Sequence, residues 1–97
     1  MVTRVQTVHF DASSQLMEFV EKKVAKLEKL CDEAISLEVT MKLIKPETSQ
    51  NKEVGLSLQA GCGELFASKV SDTFEDALLG AIDALRAQIE KKREKNR

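Results

Sequence analysis

The first residues to weigh are those that could make or break a bond. One imidazole, His9, and two thiols, Cys31 and Cys62, are the whole supply of soft nucleophiles and neutral-pH bases. Cys62 sits in a Gly61-Cys62-Gly63 run that could present it at a turn. A thiol attacks as thiolate and usually needs a histidine in reach to form it. Nothing in the sequence aims His9 at that run, and a tight hairpin with a small side chain at its tip explains the run without catalysis. The two cysteines have no metal-type spacing, and with one histidine they do not complete a tetrahedral set. Both are read as reduced thiols, which fits a reducing, cytoplasmic compartment. Asp72, Glu75 and Asp76 could do acid–base work, yet they stand where a helix start needs negative charge. No phosphate-binding glycine loop, Walker sequence or Ser-His-Asp arrangement stands out. The expectation is no enzyme, no catalytic residue, no metal and no cofactor.

The cations are more informative. The net charge is −1, but its distribution is uneven. Residues 1–85 carry nine Lys or Arg against fourteen Asp or Glu, whereas residues 86–97 carry six against two. Local fields decide where a polyanion docks. Arg86, Lys91, Lys92, Arg93, Lys95 and Arg97 exceed what a helix dipole needs, because its effect fades within the last turn. Lys22, Lys23, Lys26 and Lys29 lie on an earlier helical stretch. At 100° per residue Lys22, Lys26 and Lys29 share one flank. Lys23 falls at the margin of the apolar stripe, so its stem must run past the apolar rim to water. Beside a second helix it points into the groove between the two. A solvated face relieved by Glu21 and Glu28 explains the same lysines without a partner.

These side chains need elements to hold them. Val2, Val5 and Val8 suggest a first strand over residues 1–9, with the inward face undecided. Asp11 is a candidate cap for a helix over residues 12–31, whose stripe is Leu16, Phe19, Val20, Val24, Leu27 and Leu30. Ile35, Leu37, Val39, Met41 and Leu43 alternate with polar residues, which predicts a strand with one buried face. Pro46 ends it, and residues 45–52 form a loop. Val54, Leu56, Leu58 and Ala60 alternate in a second strand, the Gly61–Gly63 run turns the chain, and residues 64–71 return. In that last strand Leu65 and Ala67 point inward, leaving Phe66 and Val70 on the wetter face. Asp72-Thr73-Phe74-Glu75 reads as a capping box with Asp72 as cap. Phe74, Leu78, Ile82, Leu85 and Ile89 then carry a second helix to about Glu94.

The order β-α-β-β-β-α predicts a parallel first pair and antiparallel hairpins after it. Period-two strands offer one apolar face, so both helices must cover it. The fold class is α+β: a two-layer sandwich with a four-stranded mixed, mostly antiparallel sheet and two helices on one face. A chain of 97 residues, 42% apolar, supports one domain over residues 1–97. Apolar runs are too short to cross a membrane or to form a signal peptide. Phe66 on the open face could stack on a base, but one aromatic is no stacking platform, so recognition of shape and phosphate fits better.

Three stretches carry a resemblance: Glu18-Phe19-Val20 with Lys23-Val24-Ala25-Lys26-Leu27-Glu28; Gly63-Glu64-Leu65-Phe66-Ala67-Ser68; and Asp72 to Lys95, with Ala77-Leu78, Ile82-Asp83, Leu85, Gln88 and the closing basic cluster. In this order and spacing the chain resembles the ribosome hibernation-promoting factor family, also called ribosome-associated inhibitor and sigma-54 modulation protein. The resemblance implies a fold similar to a double-stranded-RNA-binding domain. It implies binding of the small ribosomal subunit in the mRNA and A/P-site tRNA channel, and a block of translation in stationary phase or stress. Contacts run from helix cations to rRNA phosphates. The residues expected to bind RNA are Lys22, Lys23, Lys26, Lys29, Arg86, Lys91, Lys92, Arg93 and Lys95. Relatives often carry a basic residue where this chain has Met17, Ala84 and Ala87. The chain looks like a short form without a dimerisation domain, which would either need a separate factor to pair ribosomes or only inhibit translation. A rival reading, suggested by the older sigma-factor name, is a protein-binding regulator that uses the open sheet face, at Glu38, Thr40 or Phe66, or an edge strand.

Overall fold

A computed structural model describes residues 1–44, 49–61 and 63–95, with the side chains of the last helix described through Lys92. Six elements follow one another: β1 (Val2–Val8), α1 (Ser14–Leu30), β2 (Ala34–Leu43), β3 (Lys52–Ala60), β4 (Gly63–Ser71) and α2 (Phe74–Lys95). The sheet order is β1-β2-β3-β4. β1 pairs parallel with β2, while β2–β3 and β3–β4 are antiparallel. This is the expected two-layer α+β architecture.

Alternation decides which side each residue takes. Leu37, Val39 and Met41 of β2, Val54, Leu56 and Leu58 of β3, and Leu65 and Ala67 of β4 are buried under the helices. The undecided face of β1 resolves through its register. Thr3, Val5 and Thr7 pair with Leu37, Val39 and Met41, so they look inward, and Val2 is 63% exposed. Ile35 departs from the expected pattern. It shares parity with Leu37 yet is 62% exposed, because the β2–β3 register shifts between Ala34 and Ser36. An extra residue at that irregularity re-aims the side chain.

The helix caps also shift from the expected residues. Ser13, rather than Asp11, caps α1, its hydroxyl accepting from the Leu16 amide at 3.1 Å. Thr73, rather than Asp72, caps α2, accepting from the Asp76 amide at 3.1 Å. Asp72 instead accepts from the Gln50 amide at 2.7 Å, which ties the end of the β2–β3 connection to the start of α2. Gln50 has φ 51°, and its neighbour Asn51 is buried. Lys45–Thr48, the part of the loop that contains Pro46, lies outside the described residues.

Val20, Val24 and Leu27 of α1 meet Leu78, Ala81, Ile82 and Leu85 of α2 over the sheet in a single core. α2 packs on β3 and β4 and against α1. Each helix follows a strand of the same direction and runs back along the sheet, so the two helices are parallel to each other. Phe10, just before α1, stacks on Phe74, the first residue of α2, with ring centroids 4.3 Å apart. Both helices therefore start at one end of the sheet and finish at the other.

Candidate nucleic-acid interface

Parallel helices decide where the charges go. In each helix the early turns are acidic: Glu18 and Glu21 in α1, Glu75, Asp76 and Asp83 in α2. The later turns are basic. From Lys22 to Leu30 and from Arg86 to Lys92, the described residues include Lys22, Lys23, Lys26, Lys29, Arg86, Lys91 and Lys92 against Glu28 and Glu90 alone. Had the helices been antiparallel, each basic end would face the acidic start of its neighbour. Here the two gradients add, and one end of the helical layer is positive. The cations also complement the negative helix C-termini.

Within that end the side chains divide. Val24 points into the core, so Lys22, Lys26 and Lys29 lie within about 40° of straight outward on α1. Lys23 is half-buried at the stripe margin, and its ammonium sits 5.6 Å from the centroid of the Phe19 ring. That separation lies within the ~6 Å reach of a cation–π contact. Lys23 is on the α2 side of α1, because Ala25, about 160° around the axis, lines the opposite, β1 flank together with Glu21 and Glu28.

On α2, Gln88 donates to the Phe66 carbonyl of β4 at 2.7 Å and so marks the β4 flank. Arg86, about 160° from Gln88, faces α1. Lys26 and Arg86 each lie twelve residues beyond the first residue of their helix, at about the same height in the furrow. Arg86 has one weak partner, Asp83 at 3.9 Å, and its Nε is buried with no hydrogen-bond partner among the described residues. Lys23 and Arg86 thus line the groove between the helices, with Lys26 on its outer rim. Among the described residues Lys22, Lys23, Lys26, Lys29 and Lys91 make no ion pair.

Lys22 and Lys29 point outward, and the described residues Lys91 and Lys92 do not join the groove. Lys91 is exposed on the β4 side of α2. Lys92 turns beneath the helix, with its Nζ only 3.1 Å from where a Cβ on Gly63 would stand. It is spent partly on the hairpin. Arg93 and Lys95 belong to α2, and their side chains lie outside the described residues. Sequence reasoning missed Lys69. Its stem crosses Gly80 so closely that an added Cβ there would meet Cγ at 2.8 Å, which brings its ammonium to the β4 flank of α2. The glycine inside an otherwise unbroken helix was the available signal. Met17 and Ala84 are partly buried against the core. Ala87 is exposed.

The other surfaces offer less. On the open sheet face Arg4 sits beside Glu38 and Lys42 beside Glu53 in register, so the charges there offset one another. Gln59 donates across the hairpin to Glu64 on the same face. Phe66 is 62% exposed beside Gly55, as expected, and stands alone. His9, with φ 68°, lies beyond the end of β1 that pairs near Lys42, whereas the Gly61–Gly63 turn is at the opposite end of the sheet. Cys62 lies outside the described residues, and Cys31 is buried at the end of α1. Among the described residues no three His, Cys, Asp or Glu side chains gather as metal ligands, and no helix is long and apolar enough to cross a membrane.

The architecture is a β-α-β-β-β-α two-layer sandwich, with the described cations of both helices gathered towards one end of the helical layer. The chain belongs to the sigma 54 modulation protein / S30EA ribosomal protein family, whose model matches residues 3–97. The N-terminal domain of Thermus thermophilus Protein Y superposes with a TM-score of 0.77 at 17% identity, over 94% of this chain and 98% of that one. A ribosomal subunit interface protein from Coxiella burnetii superposes with a TM-score of 0.81 at 18% identity, over 97% and 99%. No curated protein matches the chain. The family is ribosome-associated, and the two structures share the fold.

Proposed function

We propose that the protein binds the small ribosomal subunit with the basic ends of its two helices, entering the channel used by mRNA and the A- and P-site tRNAs. Translation then stops by exclusion, as expected of a hibernation factor in stationary phase or stress. The observation that carries this reading is the addition of the two helical charge gradients at one end of the helical layer, where residues 22–30 and 86–92 hold seven described cations against two carboxylates. An RNA phosphate in the furrow can accept from the exposed part of the Arg86 guanidinium, whose side chain is 43% exposed, and charge-assisted bonds of this kind are the strong ones. Lys23 and Lys26 add point charges on the α1 side. The acidic starts of the helices repel RNA that approaches in any other pose.

Phosphate contacts release counterions, so binding must weaken with salt. Five contacts give a slope of about −4.5 in log K against log salt, or roughly a 500-fold loss between 50 and 200 mM. Co-sedimentation with purified small subunits across that range measures the slope. A steep slope with inhibited translation in a purified system supports the reading. Binding that ignores salt, or that favours the large subunit, overturns it.

A further inference from the structure

The two edges of the sheet are treated differently. The β4 edge is covered at one point, where Gln88 reaches over from α2 and donates to the Phe66 carbonyl. The β1 edge carries no such cover: among the described residues nothing bonds to the outer side of Val2–Val8. Edge strands left open in this way are templates for another strand.

Two features flank that edge, one on each face. On the helix side a groove of about 220 Å³ lies between β1 and α1, with Thr3, Val5, Val24 and Ala25 along it and the carboxylates of Glu21 and Glu28 beside it. Glu28 is held by the N-terminal ammonium of Met1 at 2.8 Å. Glu21 is exposed and has no ion pair among the described residues. On the open face stand Val2 and Ile35, both more than 60% exposed, next to Arg4. An added strand presents alternate side chains to these two faces. The helix side suits a long aliphatic stem ending in a cation, which lies on Val5 and Ala25 and reaches Glu21. The open side suits an apolar residue, which lies against Val2 and Ile35. A second copy of this chain fits badly, because two-fold pairing about Val5 brings the Glu21-bearing flanks of both α1 helices together.

We propose that the β1 edge takes an extended protein segment with alternating basic and apolar side chains as a fifth strand. This surface lies on the flank of α1 opposite Lys23, so its use is independent of the helix groove. The test adds the peptide acetyl-Lys-Val-Lys-Val-Lys-Val-Lys-amide to the full chain and follows amide hydrogen exchange. Alternate amides within Val2–Val8 should gain protection, and β4 amides should not. Binding should fall at least tenfold when the peptide lysines become glutamates, and again in Glu21→Lys, whose exposed position leaves the far-UV spectrum and melting point near those of the parent. Protection absent from β1, or binding indifferent to both charge changes, overturns the proposal. Protection of β1 that rises with protein concentration alone also overturns it, by assigning the edge to a second copy.

Discussion

Replacing Arg86 with methionine should make the free protein more stable and the RNA-bound protein weaker. A buried donor without a partner costs about 1–3 kcal/mol relative to a hydrated one. The Nε of Arg86 is such a donor. The ion pair that the substitution forfeits, to Asp83 at 3.9 Å, is long and partly exposed, and such pairs contribute about 0–0.5 kcal/mol. Methionine keeps most of the apolar stem that packs in the furrow. The difference leaves a net gain of about 0.5–3 kcal/mol. For a domain of this size 1 kcal/mol moves the melting point by roughly 4–8 °C, so a rise of several degrees is expected. Circular dichroism melts and urea titrations of Arg86→Met against the parent measure this, and pelleting with small subunits measures the other half. Binding should weaken about tenfold or more, since a charge-assisted bond is removed. A variant that melts lower than the parent, or that pellets equally well, refutes the reasoning that this arginine is held unsatisfied for a phosphate.

Other outcomes follow from the same contacts. Thr73→Ala removes the α2 cap and should cost about 1 kcal/mol in urea titrations, whereas Asp11→Ala should cost little because Ser13 does the capping. Gln88→Ala uncovers the Phe66 carbonyl on the β4 edge; gel filtration at rising concentration should show self-association that the parent lacks. Leu78→Ala opens a hole where α2 meets the sheet and should cost about 2–5 kcal/mol, enough to unfold a marginal domain at 37 °C. Phe66→Ser on the open face should leave both melting point and small-subunit binding unchanged; loss of binding would favour the sheet-face reading of a protein-binding regulator.

The elements were legible because period two and period 3.6 repeat without interruption in β2, β3, α1 and α2. What pattern could not supply was local hydrogen bonding. Asp11 and Ser13 are equally good cap types, and only the chain path after His9 selects the serine. Asp72 looked like the cap because it begins an Asp-x-x-Glu run, yet its carboxylate is drawn to the Gln50 amide, a contact 22 residues away in sequence. Ile35 was misassigned because parity holds only where pairing is regular. For the interface, Lys23 at the stripe margin was readable from the helical angle alone. Lys92 was not, because its direction depends on where the Gly63 turn ends up. The parallel course of the two helices, which brings the basic ends together, is a property of the topology and not of either helix.

The most direct test is charge reversal on the helical layer. Lys23→Glu, Lys26→Glu, Arg86→Glu and Lys91→Glu are combined in one chain, and Arg4→Glu with Lys42→Glu on the sheet face serves as the matched control. Both proteins are sedimented with purified small ribosomal subunits at low salt. The helix variant should remain in the supernatant with its circular dichroism intact, while the sheet variant should pellet like the parent. Pelleting of the helix variant at parental levels would contradict the account.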